Sequence, residues 1–137
     1  MTLQEFIREN DTDCARSPIA PQDIPLMETL LGAAIGPQLR EYLTTYGYLG
    51  YKFAELYGIT ATGGPNSDMI KKTQQLHDRY PVTKALIAIE DQGDGDYYLA
   101  DGQDGIYRFL SATGQLAKQD MKLFDYILAR FESIRDL

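Results

Sequence analysis

The sequence contains one cysteine, one histidine and no tryptophan. A single thiol, Cys14, closes no internal disulfide, and Cys14 with His77 alone does not assemble a Cys/His zinc site. No window approaches the roughly 20 consecutive apolar residues of a membrane-spanning helix. The amino-terminal Met-Thr-Leu-Gln-Glu-Phe-Ile-Arg-Glu interleaves charge with apolar residues and has no h-region of a secretory signal, so a cytoplasmic, non-membrane protein is expected. Cations are the minority charge: 13 Lys plus Arg against 20 Asp plus Glu give a net charge of −7. That balance argues against direct nucleic-acid binding, which draws its affinity from releasing counterions held at phosphates. No G-x-S-x-G, H-E-x-x-H, Walker or dinucleotide fingerprint occurs. Cys14 lies in a loop-like stretch and His77 beside the apolar face of a helix, without the base and orienting group a nucleophile needs. The expectation is therefore a protein that is not an enzyme and uses no cofactor or metal.

What is present is enough for one core. With 137 residues, 44% hydrophobic and only six prolines, the chain reads as a single domain over 1–137. Residues 1–23 form a helix and connector, and 24–137 the core. Thr2 and Glu5 fit a capping box before Leu3, Phe6 and Ile7. Pro18, Pro21 and Pro25 mark an extended connector. Ile24, Met27, Leu30 and Leu31 recur at helical spacing up to Gly32, and Gly36-Pro37 opens another helix carrying Leu39, Tyr42, Leu43 and Tyr46. Two short strands are expected around Tyr51 to Ala54 and Leu56 to Thr60. Asn66 or Ser67 can cap a helix through Met69, Ile70, Thr73, Leu76 and Tyr80, ended by Pro81.

The run Ala85 to Ile89 reads as a strand buried on both faces. Asp94-Gly95, Asp101-Gly102 and Asp104-Gly105 are hairpin dipeptides that set off strands at Asp96 to Ala100 and Ile106 to Leu110. Asp120 can cap a last helix with Met121, Phe124, Leu128 and Phe131 in one stripe and Ile127 and Ile134 beside it. The predicted fold class is α+β: a mainly antiparallel sheet with a C-terminal three-strand meander, packed by four to five helices.

Two features invite function. Glu90, Asp91, Asp94, Asp96, Asp101 and Asp104 fall in a stretch without Lys or Arg. Read from Asp91, the stretch fails the calcium-loop pattern, because the third and fifth positions are Gly93 and Gly95 and the twelfth is Gly102. The acids are then hairpin-turn residues, or a negative field at one end of a sheet that steers a basic partner. Tyrosines are the other feature, with Tyr42, Tyr46, Tyr48, Tyr51 and Tyr57 close together. Helical spacing puts Tyr42 and Tyr46 in the core, whereas Tyr48 and Tyr51, in a glycine-broken loop, are interface candidates.

Four phrases in this order resemble the SUKH superfamily of Smi/Knr-like proteins, which includes bacterial immunity proteins against polymorphic toxins. They are Leu30-Leu31-Gly32 with Leu39-Arg40-Glu41-Tyr42-Leu43 and Tyr46-Gly47; Glu55-Leu56-Tyr57-Gly58-Ile59; Leu86-Ile87-Ala88-Ile89 with Gly93-Asp94-Gly95-Asp96-Tyr97-Tyr98-Leu99; and Asp104-Gly105-Ile106-Tyr107. The resemblance spans Ile24 to Ile134. It implies a bacterial immunity protein that binds and neutralises a cognate toxin, in a toxin-antitoxin pairing whose toxin carries a basic, nucleic-acid-directed active site. On that reading Asp91, Asp94, Asp96, Asp101 and Asp104 steer and pair, and Tyr48, Tyr51 and Tyr98 supply contact area. A regulatory or scaffold protein of the Smi/Knr type and a carboxylate-dependent hydrolase are the other classes weighed.

Overall fold

In the computed structural model, which describes residues 1–61, 68–93 and 95–137, the Thr2 hydroxyl accepts the Glu5 amide at 3.2 Å, and α1 runs Leu3–Glu9 with Leu3 and Phe6 buried. The proline-bearing connector holds a two-residue strand, β1 (Asp13–Cys14), and a 3-10 turn at Pro21–Asp23. Helix α2 (Ile24–Leu31) ends where Gly32 takes φ +69°, a left-handed value that a side chain would disfavour. Ile24 and Leu31 are buried, but Leu30 lies on the outer face at 40% exposure. Helix α3 (Pro37–Thr45) buries Leu39, Tyr42 and Leu43.

The expected pair of strands after α3 is a single tight hairpin. Strand β2 (Leu49–Tyr51) pairs antiparallel with β3 (Ala54–Glu55), and β1 adds on the other side of β2. The chain thus reverses between Tyr51 and Ala54, at Lys52 and Phe53, where one continuous strand was expected; Lys52 adopts φ +52°. Leu56 to Ile59 forms no strand, although Tyr57 N–H donates to the Ile89 carbonyl at 2.8 Å. Helix α4 (Met69–Arg79) has Asp68 at its N-cap; the expected caps Asn66 and Ser67 lie outside the described residues.

Strands β4 (Ile87–Asp91), β5 (Asp96–Ala100), β6 (Gly105–Leu110) and β7 (Gln115–Lys122) form an antiparallel meander. It has four strands where three were expected. β7 hid from a hydrophobicity reading because it is an edge strand, largely exposed, with Lys118, Asp120 and Lys122 in place of a buried face. Consequently Asp120 and Met121 are strand residues, and α5 begins at Leu123 and runs to Ile134. Its buried face is Leu123, Tyr126, Ile127, Phe131 and Ile134, rotated from the expected stripe so that Phe124 and Leu128 are only half-buried.

Strands β4 to β6 carry buried residues on both faces of the sheet. Ile87, Ala100 and Ile106 join the main core with α1, α3 and α5, while Ala88, Leu99 and Phe109 pack with Leu76 of α4. The outer edge of β4 is closed: Ala88 N–H donates to the buried Thr73 hydroxyl at 3.0 Å and the Ile89 carbonyl takes the Tyr57 amide.

Two helix starts are capped from a distance. Asp104, 2% exposed, accepts the Gln38 and Leu39 amides at 2.8 and 2.9 Å, so its carboxylate closes the first turn of α3. The Gln38 side-chain oxygen in turn accepts the Phe124 amide at 2.9 Å, at the start of α5. Asp104 is therefore a buried helix cap and not a surface residue for a partner.

Candidate partner-binding groove

At the tip of the β2–β3 hairpin, Tyr51 points inward and Phe53 outward. Tyr51, 6% exposed, packs edge-on against Phe6 at 5.1 Å between centroids and beside Phe131 at 5.5 Å, which places it in the core and corrects its expected interface role. Phe53 is 64% exposed. Lys52, between them, lies in the left-handed region that non-glycine residues seldom occupy. Its ammonium is bound by the Arg135 carbonyl and, at 3.2 Å, by that of Leu137, and so ties the tip to the end of α5.

Behind Phe53 sits a buried ionic cluster. Glu90 follows a bulge in β4, where pairing passes from Ala88 opposite Leu99 to Glu90 opposite Tyr98; the extra residue re-aims the strand. The Glu90 carboxylate is 2% exposed, and the Arg130 Nε lies 3.1 and 3.3 Å from its two oxygens. Tyr126 donates its hydroxyl to Glu90 at 2.5 Å, and burial followed by the Glu90 charge pushes that phenol well above its ordinary pKa. The Arg130 guanidinium also lies over the Phe53 ring, 5.7 Å from its centroid.

Together these groups floor and wall a groove of about 530 Å³, lined among others by Phe53, Glu55, Tyr57, Asp68, Asp91 and Arg130. Tyr57 registers its field: partial burial, then the Asp91 and Asp68 carboxylates, raise its phenol pKa far above normal. With Arg130 engaged by Glu90, the remaining lining carboxylates make the groove negative. A smaller cavity of about 270 Å³ shares Gln92 and Arg130 and is lined by Tyr98, Met121 and Tyr126.

The residues expected at an interface are thus dispersed. Asp91 lines the groove and accepts the Gly93 amide at 2.7 Å. Asp94 lies outside the described residues. Asp96 pairs with Arg108 at 2.6 Å, and Tyr98 is half-buried against Tyr126 with centroids 4.8 Å apart. Asp101 holds the opposite turn, accepting the Gln103 and Gly105 amides at 2.9 Å. The five residues of β5 separate the two turns by about 17 Å, beyond the roughly 8 Å screening length at physiological salt, so the acids are not one field at one end of the sheet. Tyr48 is half-buried before β2 and does not line the groove.

Of the groove's own key residues, Phe53, Asp68 and Arg130 gave no sequence signal, and Glu55 entered only as part of a family phrase. Lys-Phe is not a turn dipeptide, and Asp68 and Arg130 reach the site only through the packing of α4 and α5. Elsewhere, the His77 Nε2 lies 2.7 Å from the Leu86 carbonyl oxygen, and Cys14 is exposed. Among the described residues no group of three or more His, Cys, Asp or Glu is placed to hold a metal, and no helix is long and apolar enough to cross a membrane.

A family model described as SUKH_5, SMI1-KNR4 cell-wall, matches residues 3–131. No curated protein matches the chain.

Proposed function

The chain belongs to the SMI1-KNR4 family, and from that premise we propose that it is an immunity protein that binds and neutralises a cognate toxin domain by direct protein contact. The observation that carries this reading is the exposed Phe53 at the tip of a braced hairpin, beside a negative groove. An exposed aromatic at the tip of an anchored turn is the form that interface anchors take, since a partner that covers the ring buries a large apolar area. The uncompensated carboxylates select a partner with a basic surface, as a nucleic-acid-directed toxin has, and accelerate its association. Asp91 at the end of β4, with Asp96 and Tyr98 of the neighbouring β5, extends the contact. Inhibition by occlusion needs no catalytic group on this chain.

The test is growth rescue. The carboxy-terminal domain of a large neighbouring open reading frame is expressed with and without this protein, and complexes are purified from the survivors. Specific rescue with one co-purifying toxin is expected. Toxicity without rescue, or capture of several unrelated proteins, would replace this reading with a non-catalytic regulatory scaffold of the Smi/Knr type.

A further inference from the structure

We propose that the groove beside Phe53 seats an arginine side chain of the protein partner, against the exposed ring and the Glu55, Asp68 and Asp91 carboxylates; this rests on the protein-binding reading above. The fold already contains one such arrangement. Arg130 lies over the Phe53 ring at 5.7 Å while its Nε contacts Glu90 at 3.1 Å, so a guanidinium is held between this ring and a carboxylate. With Arg130 in place Phe53 is still 64% exposed.

Charge points the same way. Glu90 is committed to Arg130, and among the described residues Glu55, Asp68 and Asp91 form no ion pair with a Lys or Arg. The groove that they line with Phe53 measures about 530 Å³, ample for one long side chain. Arginine suits it better than lysine, because a planar, weakly hydrated guanidinium stacks on a ring and donates to carboxylates at once. The turn that carries the ring is tethered as well, since Lys52 at φ +52° donates to the Leu137 carbonyl at 3.2 Å.

The experiment is an amide chemical-shift titration of the free, full chain with N-acetyl-arginine amide, using the uncharged isostere N-acetyl-citrulline amide as control. Saturable shifts confined to Phe53, Glu55, Asp68, Asp91 and Arg130, absent with citrulline, are expected. Phe53→Leu, which keeps apolar bulk but removes the ring, should weaken binding about 2- to 5-fold with only a small drop in the unfolding midpoint, from the lost Arg130 contact. Asp91→Asn should weaken it as well. Shifts scattered over all surface carboxylates, or local shifts indifferent to Phe53→Leu, overturn the proposal. Because the probe needs no toxin, failed growth rescue leaves this result readable. Conversely, a toxin complex whose affinity ignores Phe53→Leu overturns the arginine seat and leaves the immunity reading intact.

Discussion

Replacing Asp104 with alanine should cost far more stability than an acid in a turn ordinarily does. Its carboxylate takes two amides, those of Gln38 and Leu39, at 2.8 and 2.9 Å, and is 2% exposed. Hydrogen bonds to a charged group contribute about 1.5–3 kcal/mol each, and two that share one carboxylate are not additive, so a loss of about 3–4 kcal/mol is reasonable. Asparagine keeps an acceptor and tolerates the φ of +67° found here, so Asp104→Asn should cost only about 1–2 kcal/mol. Glycine relieves the left-handed backbone but supplies no cap, and Asp104→Gly should fall between the two. Urea unfolding followed by circular dichroism gives these differences directly, with an unchanged m-value. An Asp104→Ala protein within about 1 kcal/mol of the parent would refute the capping argument. Gly36 supplies a companion check: a Cβ there would stand 2.5 Å from an Asp104 carboxylate oxygen, so Gly36→Ala must displace the same cap.

Tyr51→Ala should destabilise by about 3–5 kcal/mol, since it empties the space between Phe6 and Phe131, whereas Tyr51→Phe should be nearly silent; thermal melts of both separate packing from contact. Glu90→Ala should cost about 2–4 kcal/mol by stranding Arg130, and the double change Glu90→Leu with Arg130→Met should recover much of it; a double-mutant cycle with no coupling would dismiss the pair. Alkaline conditions should unfold the protein. Tyr42 and Tyr126 are buried with raised pKa values, so the folded state keeps protons that the unfolded chain releases near pH 10. Stability is then level below about pH 9 and falls as pH climbs past 10, by about 3 kcal/mol at pH 11 for the two tyrosines together; Tyr126→Phe should flatten that fall in urea titrations across pH.

Most of the architecture was legible because periodicity and punctuation agree along much of the chain. Thr2, Gly32, Pro37 and Pro81 mark helix boundaries through chemistry confined to a turn or less, and the run ending at Ile89 shows a strand covered on both faces. β7 was illegible for the opposite reason: an edge strand guarded by lysines has no buried face to betray it. The start of α5 was misplaced because its first free amide is capped by Gln38, 86 residues away, and not by a neighbouring side chain. The acids were read as one group because they are close in sequence; an antiparallel meander sends successive turns to opposite ends. Tyr51, expected at an interface, lies in the core, and Phe53, two residues on, is exposed, since alternation at a hairpin tip depends on where the turn falls.

The hairpin tip also bears on how such a protein could change over generations. Tyr51 and Ala54 hold the turn to the core, while Phe53 and Glu55 face solvent and meet whatever occupies the groove. Substitution at these two positions leaves the packing beneath almost untouched, so lineages can alter recognition without first acquiring a stabilising change elsewhere. On the immunity reading proposed above, drift there is limited chiefly by the partner, which is the condition under which an inhibitor and its target can keep pace with each other.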